Sequence, residues 1–598
     1  MQTQGLGKNR PRSDWERNLM TYAGNFRWWG GLVLGLAGAM LCSAAAGVTL
    51  AGLITDLKND APQVRIAAAD ALGKMGAVAK DAVPALLEAG TTDQAWIDTA
   101  MYAAIQQIGA AAVPALLDQM ERGQPLVRGR AATALWIVEA ERDQVLPAVQ
   151  KFSEDKDPRV RGMVERIIAK YAADAGAGVP KAAPPTAKDV PAVPLPAPTG
   201  DWAEFHGPRR DSLCPETGLL QSWPEGGPRL LWKLDCVGRG MSTVAIAQGK
   251  IFTTGDRQGE GQYLICLDLA TRQELWATRL GAPYKEFGAL CTPTIAGGAV
   301  YVTSTESEVF CVDAASGAVR WQKSMTKDFG GKMMNGWKCS ESPLLDGRRL
   351  LCSPGANAAA VVALDKDTGA VLWTCAVPDL GKAGKDGAAY SSVTVHKLAG
   401  ARQYVQVLGR GVIGLAADTG KFLWGYNRLA SGVANITHPL SRGDFVFVSN
   451  SYGTGTSLLK IGRAGDGCQA AEAYNLPAKQ FENHHGGLVM VGDYVYGGSG
   501  LNKGDPTCIN FFTGEIVWKA KAPAGGSAAV LYADGHLLFR YDRGLVVLAE
   551  ATPKGFLVKG RFTPALSDGP AWAHPVIFEK KLYLRHNDLL QCFDLAAP

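Results

Sequence analysis

Two different spacings of apolar residues divide the chain. In residues 47–172 apolar side chains recur every three or four positions, the spacing that places them on one face of an α-helix. From residue 201 onward, apolar and polar residues alternate in short runs that stop at Gly-rich turns, as they do in β-strands. Residues 173–200, mostly Ala and Pro, separate the two patterns and predict an extended, semi-rigid linker.

The helical pattern recurs as a unit of about thirty residues. Proline follows valine at the start of two copies, at Val83 and Val113, and it suits the first turn of a helix because no N–H donor is needed there. Each copy predicts a helix, a polar turn and a second helix, so we expect a stack of helix pairs that bury one another's apolar faces. The four copies cover residues 50–76, 83–109, 113–139 and 145–172.

The strand pattern is also repeated. Residues 292–321 read as four strands joined by short turns, and the same block returns along the rest of the chain. One four-stranded sheet cannot bury its own faces, so the copies are expected to close into a ring, an all-β propeller of eight blades, or of seven if residues 527–594 are overcounted. The copies cover residues 243–276, 292–321, 342–373, 392–424, 438–474, 487–518, 527–558 and 575–594.

A short phrase before the fourth strand marks each blade. In the copy ALDKDTGAVLW, Asp365 can accept hydrogen bonds from the backbone that follows it, and Gly369 supplies a positive φ. The indole that closes the phrase can pack between neighbouring sheets. The eighth copy lacks a fourth strand, which Leu230–Leu234 is expected to supply. We predict structural docking roles for Trp232, Trp276, Trp321, Trp373, Trp424 and Trp518, with Tyr474 as a stand-in in the fifth copy.

Residues 1–46 predict an export signal. A basic stretch ending at Arg27 precedes the uncharged residues 28–42, and small residues follow at offsets that suit signal peptidase. An uncleaved membrane segment is the alternative, since no charge appears until Asp56. The formal net charge is +5, of which residues 1–46 supply +3, so the rest of the chain has no electrostatic footprint for nucleic acid.

The strand phrase resembles the tryptophan-docking repeat of PQQ-binding-like β-propeller proteins, the superfamily of quinoprotein alcohol dehydrogenases and their non-enzymatic relatives. The resemblance covers about two-thirds of the chain, and residues 201–232 also look like the start of such a propeller. In the helical part, residues 60–65 (DAPQVR) and 157–161 (DPRVR) resemble short bacterial HEAT repeats, which implies a protein-binding surface or a spacer.

The resemblance implies what an enzyme of this class would need: two adjacent cysteines over the quinone, a Ca²⁺ site and an Asp base. The sequence contains no Cys-Cys pair and no Cys-x-x-Cys-His haem motif. Its twelve cysteines include four at one repeat position, Cys266, Cys311, Cys508 and Cys592, which predicts buried thiols rather than disulfides. We therefore predict no catalytic, cofactor-binding or metal-binding residues and no cofactor.

Four histidines form a candidate binding site. The starts of the innermost strands surround one mouth of a propeller channel, and alignment of the copies puts His438, His485 and His574 there, with His484 beside them. Converging imidazoles can bind a metal or carry protons, or they can line a watery channel. We expect one polar cavity without a closed metal site, because the blades are widely spaced and those strands carry no carboxylate.

The longest connection between strands, residues 325–342, is a candidate interface loop. It contains Lys327, Met333, Met334 and Trp337. Such an apolar loop either forms an interface with another protein or folds over its own channel.

The predicted domains are a signal peptide or membrane segment (1–46), a HEAT-like helical stack (47–172), a linker (173–200) and a propeller (201–598). The favoured function is an exported, non-catalytic scaffold that binds protein partners in the periplasm or cell envelope. Membrane association would come through the N-terminal segment. The alternative is a propeller enzyme, such as a PQQ-type dehydrogenase, or a sensor of a small ligand or sugar at the channel mouth.

Overall fold

A computed structural model describes residues 49–90, 95–138, 142–174, 180–186, 200–257 and 260–598. The predicted export signal therefore lies outside the described residues. The chain separates into two compact units, Met1–Tyr171 and Ala172–Pro598.

The first unit is helical throughout its described residues. Its fully buried side chains include Leu72, Leu86, Leu116 and Leu135, which form one continuous core with their neighbours. The helix pairs coincide with the four repeat copies, and their assignment to HEAT repeats stays a prediction. The α-helices are Leu50–Asp56, Pro62–Lys74, Val83–Ala89, Ala95–Ile108, Val113–Arg122, Pro125–Ile137, Arg142–Gln150 and Pro158–Asp174, with 3₁₀ turns at Gly76–Ala82 and Gly109–Ala112.

One helical stretch, Ala100–Arg122, is long and apolar enough to cross a membrane by length and hydropathy alone. It is interrupted by the 3₁₀ turn at Gly109–Ala112. Its apolar side chains, such as Ile105 and Leu116, are buried in the core of the helical unit. This is the arrangement of a core helix that packs on protein, so the stretch adds no argument for a membrane span.

The second unit is a propeller of eight four-stranded blades. Blade 1 consists of Ala245–Ala247, Lys250–Arg257, Gly261–Asp268 and Glu274–Gly281, and blade 2 of Thr294–Ala296, Ala299–Thr303, Glu308–Asp313 and Val319–Ser324. Blade 3 consists of Leu344–Asp346, Arg349–Cys352, Val361–Asp365 and Val371–Cys375, and blade 4 of Thr394–Leu398, Ala401–Leu408, Gly411–Ala416 and Phe422–Tyr426. Blade 5 consists of Leu440–Arg442, Phe445–Asn450, Gly455–Ala464 and Gly467–Leu476, and blade 6 of Leu488–Val491, Tyr494–Ser499, Asp505–Asn510 and Ile516–Lys519. Blade 7 consists of Ala528–Ala533, His536–Tyr541, Val546–Glu550 and Val558–Phe562, and blade 8 of Val576–Phe578, Lys581–His586, Leu589–Asp594 and Leu230–Leu234. The short strand Leu213–Cys214 adds a fifth strand to the sheet of blade 7, and the helix Met325–Phe329 lies between blades 2 and 3.

The ring is closed by a strand from the beginning of the propeller. Leu230–Leu234 pairs antiparallel with Leu589–Asp594 and becomes the outer strand of blade 8. The predicted closure and the count of eight blades are confirmed. Because strands from the beginning and the end of the propeller pair in one sheet, the ring has no unpaired edge where it closes.

The two faces of the propeller carry different kinds of connection. Strands within a blade are antiparallel, so the start of every first strand lies on one face, which we call the mouth face. The long connections between blades also lie there. The opposite face, which we call the turn face, carries the short turns after the first and third strands, including the repeated Asp-x-x-Thr-Gly phrase.

The turn-face phrase folds as its residue types require. Asp365 Oδ1 accepts hydrogen bonds from the backbone N–H of Asp367 at 3.1 Å and of Thr368 at 2.9 Å. Gly369 has a φ of +71°. A Cβ there would lie 2.9 Å from the ring of Trp321 in the preceding blade, whose Nε1 donates to the Lys366 carbonyl at 2.9 Å. The docking indole therefore stacks on the turn of the next blade, which only glycine permits.

Blade 5 departs from the repeat. Its third and fourth strands are ten residues each, and its turn, Ala464–Gly467, lacks the repeated phrase. Trp424 of blade 4 consequently has no turn glycine to stack on and is buried over Gly414 of its own blade, with Nε1 donating to Gln403 Oε1 at 2.8 Å. The indole therefore packs on its own sheet, in the apolar core that blade 4 shares with blade 5.

Part of the predicted linker is attached to the outer edge of blade 5. Residues 180–186 are described, and Lys181 forms a parallel β-bridge with Glu472. The Ala182 N–H donates to the Glu472 carbonyl at 2.9 Å. The Glu472 carboxylate, 1% exposed, pairs with Lys181 and Arg428 and accepts a 2.7 Å hydrogen bond from Tyr426. This stretch is therefore held at the edge of blade 5 by one β-bridge and an ion pair.

Candidate functional site

The channel of the propeller is filled by the chain's own residues 202–214, which we call the plug. The plug enters from the turn face, where the N–H of Gln248 donates to Asp201 at 3.3 Å. It returns to the same face beside blade 7, where Leu213–Cys214 pairs parallel with the end of the first strand. The tip between these points reaches the level of the first-strand starts, so the plug separates the mouth from the rest of the channel.

Seven of the eight blades contact the plug. Trp202 exchanges two 2.8 Å backbone hydrogen bonds with Ile246 of blade 1, and Ala203 accepts a bond from blade 2. Arg210, only 5% exposed, donates to the carbonyls of Ser342 and Pro343 at the start of blade 3 and pairs with Glu204 of the plug itself. His206 contacts blades 5, 6 and 8, and Leu213–Cys214 pairs with blade 7. The plug therefore braces the ring from within.

The tip of the plug has an unusual backbone. His206, Arg210 and Ser212 have φ values of 65°, 55° and 56°, a left-handed region that non-glycine residues rarely adopt. Gly207 lies in the same left-handed region, with a φ of 79°, and a Cβ there would lie 3.0 Å from the Trp202 ring. Backbone strain of this kind persists only when the surroundings hold it, and it is concentrated at functional sites.

Five of the chain's eight histidines meet at the mouth. The ring of His206, on the plug, lies 4.3 Å from that of His438 and 4.5 Å from that of His574. His574 Nε2 lies 3.3 Å from the carbonyl of His485, and the His484 and His485 rings are 4.2 Å apart. The structure thus brings together the four predicted histidines and adds a fifth.

These histidines are neutral at pH 7. Burial lowers the pKa of His438 to about 3, and the positive charge of Arg210 contributes. Burial also lowers the pKa of His484 and of His574 to about 4. The pKa values of His206 and His485 are lowered well below the ordinary value by burial and by the neighbouring imidazoles.

An arc of six aromatic rings lies over the mouth. Each ring contacts the next at a centroid distance between 4.2 and 5.9 Å. The arc joins three connections between blades and one loop within blade 5, and most of its rings are only partly buried. Its members in order are Tyr284, Phe287, Trp572, His485, His484 and Tyr452.

Several buried polar atoms at the mouth have no hydrogen-bond partner. A buried donor or acceptor left unpaired costs about 1–3 kcal/mol, so such groups need an explanation where they cluster. His484, by contrast, is fully paired, with Nε2 2.8 Å from the Tyr452 hydroxyl and Nδ1 2.8 Å from Ser527 Oγ. The unpaired atoms include His438 Nε2, His485 Nε2, His574 Nδ1, Ser391 Oγ and Ser451 Oγ.

No group of three or more His, Cys, Asp or Glu side chains in the described part of the chain is arranged to hold a metal ion. The expectation of histidines without a closed metal site stays a prediction about the protein in solution. One buried carboxyl on this side of the propeller is Glu341, which precedes blade 3. Burial raises its pKa to about 7, and it accepts hydrogen bonds from Ser353 and Gln406.

The predicted interface loop packs against the connection that precedes blade 4. Met334 is buried, and its N–H donates to the carbonyl of Ala388 at 2.9 Å. Met333 is half-buried, and Lys327 lies in the short helix Met325–Phe329. Trp337 remains 37% exposed on the mouth face, with its ring 5.9 Å from that of Tyr390.

Two buried ionisable residues on this side of the propeller escaped the sequence reasoning. His206 and Glu341 lie outside the first strands, whose starts were the only positions aligned. A signal for His206 exists in the stretch Phe205-His206-Gly207-Pro208, because a histidine before Gly-Pro favours a tight turn. Sequence alone gives no indication that this turn enters the channel.

The sequence profile of the family described as "Outer membrane protein assembly factor BamB" matches residues 260–520. These residues run from blade 1 to just beyond blade 6. The match confirms the resemblance of the strand repeat to the PQQ-like propeller family. Comparison with curated proteins found no match.

Solved structures of similar fold include BamB from Moraxella catarrhalis, with 14% identity and a TM-score of 0.44, covering 62% of this chain and 100% of that one. Quinohemoprotein alcohol dehydrogenase from Comamonas testosteroni has 12% identity and a TM-score of 0.48, covering 67% of this chain and 81% of that one. Identity this low does not distinguish an assembly factor from a dehydrogenase.

Proposed function

We propose that the protein is an exported, non-catalytic scaffold that binds protein partners in the cell envelope. The plug is the observation that carries the proposal. Residues 202–214 occupy the channel axis and contact seven blades, which favours a rigid ring that presents its surfaces to partners over one that admits a large cofactor along its axis.

Two further observations support this role. The profile that matches residues 260–520 is that of an assembly factor. The sequence also lacks the adjacent cysteines and the haem motif that the resemblance to quinoprotein dehydrogenases requires. The helical unit, if its repeats are HEAT-like, would provide a second protein-binding surface.

The mouth face is the surface that we expect a partner to contact. Large apolar side chains stand exposed there on four separate connections: Trp337, Val433, Leu501 and Leu566, each between 37 and 47% exposed. Exposed apolar groups on a rigid frame mark interaction surfaces, and tryptophan contributes disproportionately to binding. We place Trp337 at the centre of this contact.

Site-specific photo-crosslinking in cells tests the proposal. A photoreactive residue at position 337 should give a discrete protein adduct, whereas one at Ala315, exposed on the turn face of blade 2, should give none. Purified protein should show no alcohol-dependent dye reduction when supplied with pyrroloquinoline quinone and Ca²⁺. Dye reduction that depends on both additions would overturn the scaffold proposal in favour of the dehydrogenase alternative.

A further inference from the structure

A cleft with a volume of about 340 Å³ opens on the mouth face between blades 3 and 4. We propose that this cleft binds a short acidic segment of a partner protein, with one apolar side chain of that segment inside it. The inference rests on the proposed function, because it names the chemistry that a partner at the mouth face would present.

The walls of the cleft come from three parts of the mouth face. One is the loop after the second strand of blade 3, and another is the connection from blade 3 to blade 4. The third is the end of the second strand of blade 4 with the turn that follows it. The lining residues lie within the stretches 355–360, 377–387 and 408–410.

The longest wall, residues 377–387, is held in place by two polar side chains of blade 4. Arg410 Nη1 donates to the carbonyls of Lys382 at 3.1 Å and of Gly384 at 3.4 Å. Asn427 Nδ2 donates to the carbonyl of Ala383 at 3.0 Å. A wall that hydrogen bonds already fix loses little conformational entropy when a ligand binds, so the cleft is preorganised.

The floor of the cleft is apolar. Ala360 and Leu408 line it and belong to the buried core that blades 3 and 4 share. Val377 and Leu380 also line it and pack against the same core, but both are only half-buried. An aliphatic or aromatic side chain placed on this floor would remove apolar surface from water, which stabilises the complex.

Positive charges outnumber negative charges around the cleft. Neither the Lys382 ammonium group nor Arg410 Nη2 has a hydrogen-bond partner in the described part of the chain. Four cations and two carboxylates lie in or beside the cleft, an excess of two positive charges that favours an acidic ligand. These side chains are Lys332, Lys382, Lys385, Arg410, Asp379 and Asp386.

The cleft adjoins the loop that carries Trp337. The Ala388 N–H, at the end of the longest wall, donates to the Lys332 carbonyl of that loop at 2.8 Å. Lys385 Nζ donates to Asn335 Oδ1, two residues before Trp337, at 3.0 Å. One partner can therefore contact Trp337 and place a segment in the cleft.

Saturation-transfer NMR of the full-length protein tests the inference with three peptides at millimolar concentration. The probes are acetyl-Asp-Leu-Asp-amide, acetyl-Lys-Leu-Lys-amide and acetyl-Asp-Ser-Asp-amide. We expect transfer to the leucine methyl groups of the first peptide. The second peptide reverses the charges and the third removes the apolar side chain, so each should bind about tenfold more weakly or less.

Two variants place the binding in the cleft. Lys382→Glu reverses a charge at the rim, and Ala356→Trp fills the cleft from a half-buried lining position. Each should weaken binding of the acidic leucine peptide about tenfold. The matched control is Lys397→Glu, the same charge change at an exposed position near the turn-face end of blade 4. It should leave binding unchanged.

The inference is wrong if the acidic leucine peptide shows no transfer, or if all three peptides bind equally. It is also wrong if Lys382→Glu and Ala356→Trp both retain binding while their melting curves show intact folding. Binding to phosphatidylglycerol vesicles that Lys382→Glu abolishes, without binding of the peptide, would identify a lipid surface instead.

The scaffold proposal is tested separately by the photo-crosslink at position 337. A discrete protein adduct there without peptide binding would leave the scaffold proposal standing and remove the acidic-segment inference. Peptide binding without an adduct would support the cleft and count against the scaffold proposal. The two failures are therefore distinguishable.

Discussion

The two faces of the propeller differ in how regularly their contacts repeat from blade to blade. On the turn face, one contact is repeated from blade to blade: Trp276, Trp321, Trp373 and Tyr474 each stack on the turn glycine of the following blade. On the mouth face, the connections differ in length and sequence, and the unpaired atoms are concentrated there. The contrast indicates that the repeated contacts hold the ring together, whereas the residues that differ from blade to blade are those for which we propose a binding role.

The largest test of this contrast compares two tryptophans. Trp321→Ala should destabilise the protein by ~3–5 kcal/mol, because it removes an inter-blade indole and its hydrogen bond and leaves a cavity. Trp337→Ala, on the mouth face, should have a much smaller effect because that indole is more exposed. Chemical denaturation of the two variants measures the difference. Equal losses would mean that the repeated contact does not carry the stability.

As the pH is lowered, the mouth face should lose stability before the turn face does. The mouth histidines have folded pKa values of about 3 to 4, below the ~6.5 of an unfolded chain. Because the unfolded state binds their protons first, stability is fully present above about pH 6.5 and falls as the pH drops towards 4. Melting temperatures across this range should fall less steeply in His438→Gln/His574→Gln. An unchanged slope would contradict the burial of neutral imidazoles.

On the turn face, Arg348 lowers the pKa of Asp365 to about 2. The contribution of the Asp365 carboxylate to folding stability is present above its unfolded pKa of ~3.9 and is lost between about pH 4 and pH 2. Asp365→Asn should therefore flatten only this lower part of the same melting series. If Asp365→Asn instead flattened the fall in melting temperature between pH 6.5 and 4, it would be wrong to assign the upper pH range to the mouth face and the lower range to the turn face.

The smallest expected effect concerns the one blade that departs from the repeat. Lys181→Ala removes an exposed partner of Glu472 and should cost no more than ~1 kcal/mol. It should nevertheless release the bound stretch 180–186, so limited proteolysis between the helical unit and the propeller should become faster. Lys479→Ala, at an exposed position in the connection that follows blade 5, provides the matched control. Identical cleavage rates for the two variants would show that the ion pair does not fasten the stretch.

The candidate site was only partly accessible to sequence reasoning. Alignment of the blades located His438, His485 and His574 because equivalent positions in a propeller surround the same axis. It missed His206, which lies more than 200 residues from the nearest of them and reaches the axis through a turn that belongs to no blade. It also could not place the loop with Met334, because the position of that loop depends on the distant Ala388 carbonyl that it contacts.

The sequence by itself determined the two units, the eight blades, the turns and the closing strand, because these follow from periodicity and from local turn chemistry, which act over a few residues. Only the tertiary structure decided that the plug fills the channel, that residues 180–186 join blade 5, and that five imidazoles meet as neutral groups. Each of these depends on contacts between residues far apart in the chain, and on a burial that no single segment can produce alone.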